Sequence, residues 1–192
     1  FGRPPGSDMS NLLVQNIKHT NDTTAMTISS TGEVEHPQMT IAMFGFTGDK
    51  SVSSGTNVNT HWVTMDGDSN LGFKPIGPQP TVSSGIITLP SSGVWEFHLS
   101  AVFTSTSDQA YMGKSIEFDV GANGSYESCW AYTQCENFGG TGYTTLHLST
   151  ITNVANAGAF AVRSQTDLAA AATLRDKRFT RLIMKKLAPA QS

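Results

Sequence analysis

Between Gly93 and Phe103 the chain reads GVWEFHLSAVF, with Trp95, Phe97, Leu99, Ala101 and Phe103 at every second position and Glu96, His98 and Ser100 between them. Alternation with a period of two puts one row on each face of a β-strand. The strand is therefore predicted to lay its aromatic row against an opposing sheet, at the centre of a core. It follows ITLPSSG, an apolar run stopped by a Pro-Ser-Ser-Gly corner. Other segments carry strand signals between turn residues: MTIAMFGFTG (39–48), HWVTM (61–65), SGIITLP (84–90), TGYTTLHLSTI (141–151), GAFAVRSQT (158–166) and KRFTRLIMKKL (177–187). KSIEFDVGANGSYESCWAYTQ (114–134) reads as a hairpin turning at Asn123-Gly124, with Ile116, Phe118 and Val120 on one face and Glu117 and Asp119 on a solvated one. DKSVSSGTNVNT (49–60) and SDQAYMG (107–113) read as polar loops, and DLAAAATL (167–174) as the one helical turn.

About eight to ten strands with almost no helix predict an all-β fold, an antiparallel jelly-roll sandwich of two sheets. A shorter segment precedes it: LLVQNIKH and TAMTIS, within 11–36, offer short strands too polar to bury a core alone. The expected organisation is residues 1–8 as a cloning scar, 9–36 as an N-terminal β stem, 37–188 as the jelly-roll head and 189–192 as a tail. Met9 then reads as the natural start of a leaderless protein, made in the cytoplasm.

Composition narrows the function. Of 192 residues 38% are hydrophobic and only 14% charged, with a net charge of −3, so no bulk attraction to nucleic acid or an anionic membrane is expected. No run approaches the roughly 20 apolar residues of a membrane span. Cys129 and Cys135 stand six apart with no turn signal between them; on one strand that is about 20 Å, against the roughly 7 Å limit for a disulfide. They are expected as free thiols, and no metal site or cofactor is expected. DGDSN (66–70) starts like a calcium loop but lacks its glycine and its closing glutamate, and reads as a turn. The five histidines are scattered, and no nucleophile elbow or phosphate loop is present, so no enzyme is expected.

Aromatic residues set among small polar ones are the better lead. Tyr111, Trp130, Tyr132, Asn137 and Tyr143 are the candidate binding residues. Rigid aromatics beside Ser, Asn, Gln and Gly suit glycan or protein contacts. Trp130 and Tyr132, on one strand face, also fit core or intersubunit packing, while Tyr111 and Asn137 are expected in exposed loops.

The stretch GIITLPSSGVWEFHLSAVF, with RFTRLIMKKL as closing strand and TTLHLSTITNVANAGAFAVRS as penultimate hairpin, resembles the jelly-roll heads of complement first component and tumour necrosis factor-like proteins. NAGAFAV stands where that family carries a Gly-Asp-x-Val turn, so its loop and calcium sites are not implied. NDTTAMTISSTGEV (21–34) resembles a segment of bacteriophage tail-fibre and other virion proteins that precedes trimeric heads. Together these imply a homotrimeric virion protein, a fibre or spike that binds a host cell-surface glycan or protein and joins other virion proteins through its stem. The alternatives are a decoration protein that stabilises capsid or tail, or a glycan-binding module outside a virion. The residues add an independent reason for assembly: 39–46 and 179–187 are apolar on both rows, and the second row needs cover, from neighbouring subunits or from the N-terminal segment folding back.

Overall fold

A computed structural model describes residues 16–18, 24–28, 34–35, 39–65, 73–121, 124–139 and 142–191; within the strands, some side chains, including those of 127–130 and 136–138, lie outside the described residues. The chain forms two compact units, Phe1–Gln38 and Met39–Ser192. In the first, β1 (Asn16–Lys18), β2 (Thr24–Ile28) and β3 (Val34–Glu35) form an antiparallel sheet in the order β1-β2-β3.

The second unit is the jelly roll. Its strands are β4 (Thr40–Gly45), β5 (Lys50–Val52), β6 (Gly55–Val58), β7 (Val63–Thr64), β8 (Thr81–Ser83), β9 (Ile86–Thr88) and β10 (Gly93–Ser105). They continue with β11 (Gln109–Val120), β12 (Glu127–Phe138), β13 (Gly142–Val154), β14 (Phe160–Leu168), β15 (Ala172–Leu174) and β16 (Arg181–Ala188). The first sheet runs β5-β15-β10-β16-β4-β7, with β13 on the other edge of β10; the second runs β12-β11-β14-β9-β8, with β6 sharing an edge of β14. The chain crosses from β10 to the second sheet for β11 and β12, returns for β13 and crosses again for β14. Neighbours in space are thus seldom neighbours in sequence.

The aromatic row lies where alternation put it. Trp95, Phe97, Leu99, Ala101 and Phe103 are each at most 1% exposed, facing Met112, Ile116 and Phe118 of the second sheet in one core cluster. Phe97 stands 5.1 Å from Phe118, which stands 5.1 Å from Phe160. The Pro-Ser-Ser-Gly corner is tied to this row, because Trp95 Nε1 donates to the Ser91 carbonyl at 3.1 Å. Lys186 Nζ reaches the same corner, donating to Ser91 Oγ at 3.1 Å. Ser84 (φ 48°) and Gly85 (φ 82°) make the tight turn between β8 and β9, where both positions need left-handed backbone.

Four expectations are corrected. The polar stretch 49–60 holds β5 and β6, which have little side-chain pattern and form by pairing along the edges of β15 and β14. DLAAAATL is not helical. Asp167 and Leu168 end β14 and Ala172–Leu174 is a strand; Ala172 and Leu174 are buried, and burial on a sheet outweighs alanine's helix propensity. Tyr111 and Asn137 lie in β11 and β12, not in loops. Strand β11 starts early because the buried Gln109 links chain segments, donating to Ser105 Oγ and the Ala170 carbonyl, both at 3.0 Å. Glu117 and Asp119 are 8% and 2% exposed, so their face is covered, while Val120, expected inward, is 56% exposed. DGDSN, His19 and His36 lie outside the described residues.

Cys129 and Cys135 sit in one continuous strand, β12, and Cys135 is a free thiol that accepts from Thr144 Oγ1 at 3.8 Å. Alkylation under denaturing, non-reducing conditions is therefore expected to label two thiols per chain, and a bridged Cys129–Cys135 peptide would contradict the strand.

Candidate functional site

The outer face of the second sheet carries a polar and aromatic cluster. Tyr111, Gly113, Ser115 and Glu117 succeed one another along β11, and Glu136, Gln134 and Tyr132 stand opposite the first three on β12. Gly113 makes room for Tyr132, whose ring and hydroxyl occupy the space that a Cβ at position 113 would need. The ring thus lies along the sheet toward Tyr111, 46% exposed as a residue, with its hydroxyl donating to Gln134 Oε1. Beside it is a groove of about 120 Å³ lined by Thr56, Lys114, Ser115, Glu117, Tyr132, Gln165 and Asp167.

Electrostatics hold the groove's walls. Arg163 Nε pairs with Glu117 Oε2 at 2.7 Å, while Ser115 Oγ donates to Glu117 Oε1 at 3.2 Å. The Arg163 guanidinium stacks 3.8 Å from the centre of the Tyr126 ring, so the segment after the β11 turn folds over this row. Desolvation pushes the Tyr126 phenol above its ordinary pKa, opposed by Arg163 and reinforced by Asp119 and Glu117. Asp119 Oδ2 accepts from the Gly124 amide at 2.7 Å. These contacts explain why the two carboxylates are covered. They also commit Glu117 to Arg163 and Asp119 to the hairpin turn, roles that leave them unlike a paired acid and base.

The outer face of the first sheet differs. His98 stands between Ser149 and Ile183, and Ser100 between His147 and Arg181. They floor an open groove of about 660 Å³ that Phe179 also lines. Glu96 accepts from His98 Nε2 at 2.8 Å and pairs with Lys185 at 3.7 Å. Ile151 (59% exposed), Leu187 (51%) and Phe179 (43%) are among the large apolar residues left open on the strands and loop of this sheet. The adjoining loop is stapled: Arg175 pairs with Asp49 at 3.2 Å and Arg178 with Asp176 at 3.0 Å. Hydrogen bonds from Arg178 hold the Asp176 carboxyl below the usual carboxylate range. Arg175 lies 5.6 Å from the Tyr143 ring centre and 5.3 Å from that of Phe179.

Of the five residues expected from the sequence, Tyr111 and Tyr132 share the outer face of the second sheet. Tyr143 belongs to the first sheet, with Arg175 and Phe179. Trp130 and Asn137 have backbone positions in β12, but their side chains lie outside the described residues. Sequence reasoning missed Gln165, Asp167 and Arg163, which share the Tyr132 face only because β14 pairs with β11. Their signal was the polar alternate row of AVRSQTD in β14.

No protein-family model matches the chain, nor does any curated protein. Solved structures do. A structure of Eiger TNF from S. frugiperda superposes with a TM-score of 0.60 at 12% identity, covering 81% of this chain and 96% of that one. A crystal structure of murine APRIL superposes with a TM-score of 0.56 at 11% identity, covering 78% and 99%. The fold is a tumour necrosis factor-like jelly roll.

Proposed function

We propose that the chain is a non-enzymatic, homotrimeric adhesion protein, the fibre or spike of a bacteriophage virion, whose head binds a host cell-surface glycan on the outer face of the second sheet. The observation that carries the binding reading is the exposed Tyr132 ring laid flat beside Gln134, Glu117, Gln165 and Asp167. A sugar ring offers hydroxyl donors to carboxylates and amides and a C–H face to an aromatic ring, and this groove holds both partners. The groove is small, so single-site affinity is expected to be weak. Three sites of millimolar strength on one particle gain on the order of 10²–10⁴ in avidity.

The first-sheet face suits self-association. It combines an open groove floored by His98, Ser100, His147 and Ser149 with exposed Ile151 and Phe179. The virion assignment rests on the stem's resemblance to phage fibre segments, and in this reading the stem joins other virion proteins.

A glycan array with labelled protein tests the reading. Wild type is expected to retain one class of glycan, and Tyr132→Ala to lose about tenfold or more in affinity, some 1.4 kcal/mol, at unchanged oligomeric mass. Tyr111→Ala is expected to weaken binding less. Retention of no glycan, together with binding to purified capsids or tails, would replace adhesion with particle decoration.

A further inference from the structure

The inward row of β11 reads Met112, Lys114, Ile116, Phe118, and its second member is an ionisable residue at 0% exposure. Its amine lies 5.9 Å from the centre of the Trp62 ring, itself 3% exposed and packed against Phe46. Among the described residues no carboxylate comes within ion-pair distance of it. Lys114 Nζ instead meets the side chain of Asn59, donating to Oδ1, and donates to Thr166 Oγ1 at 3.0 Å. Thr166 is fully buried and Asn59 is 5% exposed. The Thr166 hydroxyl is used completely: it donates to Asn59 Oδ1 and accepts from Asn59 Nδ2, both at 3.1 Å, as well as from the lysine. Backbone pairing fixes all three, because Lys114 and Thr166 are directly opposite in the β11–β14 ladder and the Asn59 amide donates to the Ser164 carbonyl at 2.9 Å.

A methionine would fill the lysine's place without polar atoms. The sandwich instead presses an amine against a carboxamide, with a hydroxyl bridging both. We propose that Lys114 and Asn59 form an intramolecular isopeptide bond. The Nζ lone pair attacks Asn59 Cγ, forming the C–N bond. Thr166 donates to Oδ1 as charge develops there, takes the proton leaving Nζ and passes its own to Nδ2. The Cγ–Nδ2 bond then breaks and ammonia departs, so an amine and a primary amide become a secondary amide and ammonia, with no oxidant or cofactor. Desolvation holds the Lys114 pKa well below its ordinary value, opposed by the Glu117 carboxylate, and so favours the neutral, attacking form of the amine. Fixed placement of two such groups is equivalent to effective molarities of about 10⁵–10⁸ M, which compensates for the low reactivity of an amide. Thr166 acts as a positioning and proton-relay residue. The bond would tie the residue after β6 to β11, across the intervening strand β14 of the same sheet.

Intact mass of the purified full chain under denaturing conditions tests this. Wild type is expected about 17 Da below its sequence mass, the mass of ammonia. Trypsin should fail to cut after Lys114, and fragmentation should place the link between Lys114 and Asn59. Lys114→Met and Asn59→Ala should show their full sequence masses, as should Thr166→Val while it remains folded by circular dichroism. Wild type at full sequence mass, cut normally after Lys114, would overturn the proposal. So would a 17 Da loss mapped elsewhere, such as a succinimide at Asn123-Gly124.

Discussion

Phe97→Ala is expected to destabilise the head by about 3–5 kcal/mol, the range for removing a buried aromatic ring and leaving a cavity. The ring is 0% exposed and stacks 5.1 Å from Phe118, which stacks in turn on Phe160, so it joins both sheets and collapse around its absence is restricted. For a head of this size the loss corresponds to a fall in melting temperature of roughly 6–20 °C. Glu96→Ala, one residue away on the outer face, removes only a half-exposed network with His98 and Lys185 and should cost about 0–1 kcal/mol. Equal melting temperatures for wild type and Phe97→Ala would mean that the aromatic row does not join the sheets.

The second large effect concerns assembly. Ile183→Arg is expected to convert the proposed trimer to monomers without unfolding the head. Ile183 is half-buried on the outer row of β16, facing His98 in the first-sheet groove, so the isolated head tolerates a charge there. In a trimer the new guanidinium would be buried at each of three interfaces, on the same row as Arg181 and Lys185 and so without a partner on its own chain. A buried unpaired charge costs several kcal/mol, enough to dominate an interface of ordinary size. Sedimentation should show the variant near the 20.5 kDa of one chain, with its circular dichroism unchanged. A variant that stays assembled would move the interface off this face.

The fold was legible where one face of a strand is buried and the other is wet. Strand β10 is the clearest case, since Trp95 to Phe103 alternate without a break and the structure buries every one. It was not legible where pairing alone makes the strand. Residues 50–58 carry mostly Ser, Thr, Gly and Asn, and only the open edges of β15 and β14 turn them into β5 and β6. Alanine misled for the same reason at 169–172. The site was half legible. Aromatics in polar company marked Tyr132, but Glu117 was read as solvated because nothing local in the sequence shows that Arg163, 46 residues on, pairs with it and that Tyr126 covers the pair. Lys114 was the loudest unused signal, a lysine within an otherwise apolar alternate row. Reading the strand as starting there, instead of at Gln109, hid the row it interrupts.

An outward-facing binding surface and a gain in avidity both require that three heads associate through the first sheet. Sedimentation equilibrium of wild-type protein at low micromolar concentration tests this most directly: a single species of about 60 kDa, three times the chain mass, is expected at all practical dilutions, and a species at the 20.5 kDa of one chain would contradict it.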